Sequence, residues 1–191
     1  MGSRPAPDFS AVIAALAREL RARGLPFMLI GGQAVLVHGR PRLTEDIDVT
    51  LGVAPDRLPA VREVVQALDL VLLPENPERF VRETFVLPAR HETGIRIDFI
   101  FSTTPYERQA IERAVTRRVG EALVPFATAE DLVLHKLFAG RARDWEDAVG
   151  VVRRQGAAFD WGYVTRWARD FAGVPGREDL PGRVERLKQE T

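Results

Sequence analysis

Asp46-Ile47-Asp48 places two carboxylates two residues apart in a chain of 191 residues. On an extended strand, residues i and i+2 point to one face, so both acids project together while Ile47 packs behind them. Like charges held this close repel unless a cation lies between them, and hard oxygen ligands suit Mg2+, with Mn2+ as its chemical substitute. A surface strand with two solvated acids has the same pattern, and spacing alone does not separate the two readings. A third acid, Asp98, sits in Ile97-Asp98-Phe99-Ile100, an otherwise apolar run. A charge in such a run needs a partner. Either Arg96, its same-face neighbour, pairs with it, or Asp98 is a third metal ligand beside Asp46 and Asp48.

Two further segments carry polar groups at telling positions. Gly31-Gly32 follows the short apolar run Pro26-Phe27-Met28-Leu29-Ile30 and opens a helix. Glycines there let main-chain N–H groups approach a phosphate, and a helix N-terminus favours an anion. A tight turn accounts for the pair equally well. Further on, Lys136 lies on a helix whose other face carries Leu132, Val133, Leu137 and Phe138. Asp144 is read as the N-cap of the next helix, with Glu146 and Asp147 in its first turn, positions that capping and the helix dipole favour in any protein. Lys136 is open to two readings, a solvated surface lysine or a ligand contact.

The elements that would position these groups follow from periodicity. Helical spacing marks residues 8–23 and 55–68, and a brief helix spans Gln33 to His38. Strands are expected at 26–30 and Ile47–Leu51. Phe80–Leu87 and Gly94–Phe101 are read as a β-hairpin turning at His91-Glu92-Thr93-Gly94. Pro105–Ala114 is expected to be helical and Val119–Phe126 to be a strand. After Thr128 only helices are expected: Ala129–Ala139, Asp144–Arg154, Asp160–Phe171 and a charged tail near 177–190, with Gly173–Gly182 as a joint before it. The organisation is an α/β half over residues 1–127 followed by a helical region over 128–191 in the same compact unit.

Composition narrows the class. The chain has 27 basic and 27 acidic side chains, a formal net charge of zero, which argues against nucleic-acid binding by bulk electrostatics. Arg113, Arg117, Arg118, Arg141, Arg143, Arg153 and Arg154 could still build a local basic face. There is no cysteine, so disulfides and thiolate metal sites are excluded. The first seven residues lack the apolar stretch of a signal peptide, and no apolar run approaches the roughly 18–20 residues that span a bilayer. A soluble cytoplasmic protein is expected. His38, His91 and His135 form no metal-ligand spacing. His91 is read as a turn residue, His38 as a loop-facing helix end and His135 as packing. Trp145, Trp161 and Trp167 fall at helical positions that suit a core.

Gly31-Gly32-Gln33-Ala34, then Arg42-Leu43-Thr44-Glu45-Asp46-Ile47-Asp48, with Asp98 on a later strand, resembles the signature of DNA polymerase β-type nucleotidyltransferases. The Arg-x-Thr-x-Asp-Ile-Asp form is similar to that of the AbiEii/AbiGii-type branch, which includes toxins of toxin–antitoxin and phage-defence systems. The likeness covers roughly residues 27–150. It implies a mixed sheet flanked by helices and a C-terminal helical region. It also implies transfer of a nucleoside monophosphate from an NTP to an acceptor hydroxyl.

By the same likeness Asp46, Asp48 and Asp98 would hold Mg2+, and Gly31, Gly32, Thr44 and Lys136 would bind the nucleotide. Lys136 followed by Arg141-Ala142-Arg143-Asp144 resembles the branch's C-terminal motif, which implies that Arg143 helps place nucleotide or substrate and that Asp144 orients the reacting groups. Asp147 is read as structural, pairing with an arginine of its own segment. The acceptor implied for a toxin is RNA, tRNA first, and a cognate antitoxin is an implied partner. A small-molecule nucleotidyltransferase of the aminoglycoside- or lincosamide-modifying kind, and a nucleotide-binding partner protein without turnover, are the competing readings.

Overall fold

Asp8 starts the first helix by accepting the Ala11 N–H on its carboxylate at 3.1 Å, an N-cap bond. The structure is a computed structural model that describes residues 8–102 and 104–191. The reading of the first seven residues as free of a leader-like stretch lies outside them. In chain order come α1 (Phe9–Ala22), β1 (Phe27–Leu29), α2 (Gly31–His38), β2 (Asp46–Leu51), a 3₁₀ turn at Pro55–Arg57, and α3 (Leu58–Ala67). Then follow β3 (Val71–Leu72), α4 (Pro77–Thr84), β4 (Val86–Arg90), β5 (Arg96–Phe101), α5 (Pro105–Arg113), β6 (Val115–Val119) and β7 (Ala122–Phe126). Beyond them lie α6 (Ala129–Ala139), α7 (Ala142–Gln155), a 3₁₀ turn at Gly156–Ala158, α8 (Trp161–Phe171) and α9 (Leu180–Glu190).

Contacts gather these elements into two units, one from the chain up to Ile30 with Thr44–Phe126, the other from Gly31–Leu43 with Ala127–Thr191. The first unit holds a mixed seven-stranded sheet in the order β3-β4-β5-β2-β1-β7-β6. β2 runs parallel to β5 and β1 parallel to β7, while the other neighbours are antiparallel. Helix α1 packs on β7 and β6 and against α3. This is the α/β architecture with flanking helices that the motifs imply. The second unit is helical, with α2 packed against α6 and α7, and α8 and α9 packed on each other and on α6. Among the described residues no helix is long and apolar enough to cross a membrane.

Strict alternation sets the two sides of the strands that carry the acids. Ile47, Val49, Ile97 and Phe99 are each 0% exposed, while Asp46, Asp48, Arg96 and Asp98 point to the opposite, open face. The apolar side anchors the acidic side, because a one-residue slip would bury the charges and expose the apolar set.

Three expectations are corrected. Phe80 begins no strand, because α4 spans Pro77–Thr84: Asn76 accepts the Arg79 N–H at 2.8 Å and Pro77 fills the first turn, so the capping signal outweighs the apolar pair Phe80-Val81. The expected hairpin then starts at Val86 and keeps its turn at His91–Gly94. Val119–Phe126 is not one strand but the end of a second hairpin, β6–β7, turning at Gly120 with φ +54°. β6 has no local signal in the sequence, because Thr116-Arg117-Arg118 is exposed on a sheet edge and lacks an apolar alternation. Helix α7 starts two residues before the expected Asp144, so Asp144 is its third helical residue, and Arg141 is the N-cap.

Phe99 is among the largest fully buried side chains of the sheet. Phe99→Ala should lower the unfolding free energy by about 3–5 kcal/mol, read from urea denaturation. A loss under about 1 kcal/mol would show that this side of β5 is not core.

Candidate functional site

In the parallel pair of β2 and β5, Asp48 lies directly opposite Asp98 and Asp46 directly opposite Arg96. Registered neighbours in a parallel pair present their side chains on the same face, about 4.8 Å apart between strands. The three carboxylates therefore share one face with one guanidinium among them. Arg96 Nε donates to Asp98 Oδ1 at 2.9 Å and to Oδ2 at 3.2 Å. The hydrogen bond to Asp98 is the main cause that raises the Arg96 pKa; burial opposes it, and the charges of Asp98, Asp46 and Asp48 add to it. All three acids thus act on one cation.

Bonds to the main-chain carbonyls of Asp46 and Asp48 help hold this face. The Ile30 N–H donates to the Asp48 carbonyl at 3.0 Å, and the Thr44 hydroxyl donates to the Asp46 carbonyl at 3.3 Å. In its chemistry the donor set fits a hard divalent cation, since it consists of carboxylate oxygens alone. Its arrangement is not a finished ligand cage: among the described residues no group of three or more acids or histidines stands ready to hold a metal. Both oxygens of Asp98 bond to Arg96 instead.

The second unit carries the other motif residues. Gly31 enters α2 at φ +61°, a conformation that strains any residue with a Cβ. The adjoining Gly32 is buried. At the other end of α2, His38 is buried and bonds through Nε2, at 2.8 Å, the carbonyl of Ala127 in the loop before α6, in keeping with its reading as a loop-facing helix end. Lys136 is also buried, its side chain 7% exposed, and Nζ lies 2.9 Å from both Asp144 Oδ1 and Asp147 Oδ2. Arg42 clamps Asp147 with Nε on Oδ1 and Nη2 on Oδ2, both at 2.9 Å. Arg141 closes the array with Nε on Asp144 Oδ2 at 2.7 Å.

Burial works against the charges on Asp144 and Asp147. Hydrogen bonds from Arg141 and Lys136 to the first, and from Arg42 and Lys136 to the second, outweigh it and hold both carboxyls below their ordinary value. Lys136 is accordingly neither a solvated surface lysine nor a cation reaching into solvent. Asp147 does pair with an arginine, but with Arg42 of the loop after α2 rather than one of its own segment. Arg42 opens the Arg-x-Thr-x-Asp-Ile-Asp stretch, whose spacing implies no partner for it. Its bidentate pairing to a residue 105 positions later has no local signature.

The remaining candidates scatter. Arg143 is exposed on the first turn of α7. Arg153 and Arg154 donate to the Glu190 and Gly39 carbonyls, each at 2.7 Å, so they serve the fold rather than an open basic face. Arg117 and Arg118 are exposed on the edge strand β6. His91 bonds Thr93 within its turn at 2.8 Å, and burial lowers the His135 pKa, in keeping with packing. Trp145, Trp161 and Trp167 are half-buried rather than core.

Removing one partner from a buried ion array strands the others without compensation. Lys136→Ala should therefore cost about 3–5 kcal/mol of stability at pH 7, measured by urea unfolding. Because the folded carboxyls lie below the ordinary 3.8, their contribution is present above that pH and lost as pH falls through the lower folded values. The gap between parent and variant should narrow as the pH falls below 3.8. Equal stability of the two at pH 7 would show that the array holds nothing together.

A profile of the nucleotidyl transferase AbiEii toxin family, of type IV toxin–antitoxin systems, matches residues 14–171. The solution structure of the antibiotic-resistance factor ANT(2'')-Ia is similar at a TM-score of 0.60 and 14% identity, covering 88% of this chain and 96% of that one. A crystal structure of ANT(2'')-Ia with adenylyl-2''-tobramycin gives 0.58 and 14%, over 94% and 97% of the two chains. An antigenic nucleotidyltransferase-like protein from Paracoccidioides brasiliensis gives 0.54 and 16%, over 93% and 92%. At these identities the likeness is one of fold. No curated protein sequence matches the chain. The profile spans all seven strands and every motif residue from Gly31 to Asp147, and on that match the chain belongs to the AbiEii family of nucleotidyl transferase toxins.

Proposed function

We propose that this nucleotidyl transferase moves a nucleoside monophosphate from an NTP to a hydroxyl of RNA, tRNA first among candidates, with release of pyrophosphate. The observation that carries the reading is the register of β2 on β5, with Asp48 opposite Asp98 and Asp46 on the same face. Divalent ions, Mg2+ or Mn2+, bound to these three carboxylates would neutralise the charge that develops between triphosphate and acceptor. Asp98 would accept the acceptor's hydroxyl proton on a carboxylate oxygen. Gly31 and Gly32 would offer main-chain N–H groups to phosphate oxygens at the start of α2. Thr44 would add its hydroxyl, at the expense of its bond to the Asp46 carbonyl.

The buried position of Lys136 between two acids supports a positioning role for it, with Asp144 as its partner, in place of direct triphosphate contact. Arg143, exposed beside them in sequence, is the side chain we assign to nucleotide or acceptor phosphates. The family's toxin–antitoxin setting supports RNA as acceptor and a cognate antitoxin as partner. It also supports a cytoplasmic site of action, where NTPs and RNA are found.

Expression of the chain should arrest growth, and Asp48→Ala should relieve the arrest and lower label transfer from NTP to RNA by at least about 100-fold. The assay is incubation of each labelled NTP with total RNA, or with a panel of aminoglycosides and lincosamides. Label on a drug and none on RNA would move the acceptor to a small molecule. Binding of NTP with no pyrophosphate released in any mixture would make the chain a nucleotide-binding partner protein.

A further inference from the structure

The acidic face contains its own counter-ion. Arg96 binds both oxygens of Asp98, at 2.9 and 3.2 Å, and stands opposite Asp46 across the β2–β5 pair. Its position is also one from which it can leave. The Arg96 side chain is 44% exposed, whereas that of Asp98 is 19% exposed and is fixed by its strand opposite Asp48. An ion pair with one partner in solvent is weak, because water competes for the guanidinium at little cost. A divalent cation at the same carboxylates would carry twice the charge in a smaller volume and would repel the guanidinium.

We propose that Arg96 is the resident cation of this face and sets its metal affinity, loading being an exchange in which Arg96 gives up Asp98 to a divalent ion. The proposal rests on the reading of Asp46, Asp48 and Asp98 as the metal-holding set. The exchange makes no covalent bond: one charge-assisted hydrogen-bonded pair opens, the Asp98 oxygens become ligands, and Arg96 turns to solvent. It accounts for two facts at once. The donor set is complete in chemistry, yet no three-acid group is assembled among the described residues. Arg96 is a positioning residue in this scheme, since it acts through Asp98.

The test is Mn2+ binding to the full chain without nucleotide, at constant ionic strength, followed by electron paramagnetic resonance of the free ion. Arg96→Gln should bind Mn2+ about tenfold more tightly than the parent, because both the competing pair and the repulsion are gone. Arg96→Lys keeps the charge but loses the forked donor, and should fall between the two. In an Asp98→Asn background, the gain from Arg96→Gln should shrink to the repulsion alone. Thermal melting of each variant checks that it folds.

Mn2+ affinity in Arg96→Gln equal to or weaker than the parent's, with Asp48→Ala abolishing binding in both, would overturn the exchange and leave the metal site standing. No saturable Mn2+ binding by the parent or by Arg96→Gln would overturn both. Binding by Arg96→Gln alone would be the strongest form of the expected result.

Discussion

Placing Asp48 directly beside Asp98 in a parallel strand pair is the constraint on which the rest of the first unit depends. Two carboxylates one strand spacing apart repel, and the sheet holds them there because the reverse side of both strands is buried. Ile47, Val49, Ile97 and Phe99 oppose a one-residue slip, which would turn these apolar side chains to the open face. The repulsion is therefore met by a counter-charge rather than relieved by movement. In this structure Arg96 is part of that counter-charge, and in the proposed reaction a divalent cation takes its place. The chemistry of the face and its apolar backing are one design, since a weaker backing would let the charges part.

The second unit handles charge in the opposite way. Lys136, Asp144 and Asp147 are buried together, with Arg42 and Arg141 completing the balance at the edge. Burial would make any one of these charges costly alone, and mutual pairing removes that cost. The array joins the loop after α2 to helices α6 and α7. A half-buried acidic face with one exposed partner can exchange that partner, whereas a buried balanced array is suited to holding geometry. That contrast supports the positioning role proposed for Lys136 and the chemical role proposed for the aspartates of β2 and β5.

The strand positions of Asp46 and Asp48, the helix entry at Gly31, and the long helices of the C-terminal half were legible because each depends on neighbours a few residues away. Alternation, capping and glycine conformation are local properties. The failures share the complementary cause. β6 is an edge strand whose exposed Thr116-Arg117-Arg118 becomes a strand only by pairing with β7. Phe80 has strand-like neighbours, but the cap at Asn76 commits it to α4.

The amino-acid sequence by itself determined which side chains could do chemistry, and that Asp46 and Asp48 share a face, because period-two geometry follows from any extended strand. It left Asp98 between two partners, and Lys136 between solvent and ligand. Only the tertiary structure shows what stands beside each of them. Asp98 meets Arg96 on its own strand and Asp48 on β2, a pairing between distant segments. Lys136 is enclosed between Asp144 and Asp147, and Arg42 finds Asp147 at 105 residues' separation. Burial and strand partnership are set by the packing of the whole chain, so no window of sequence contains them.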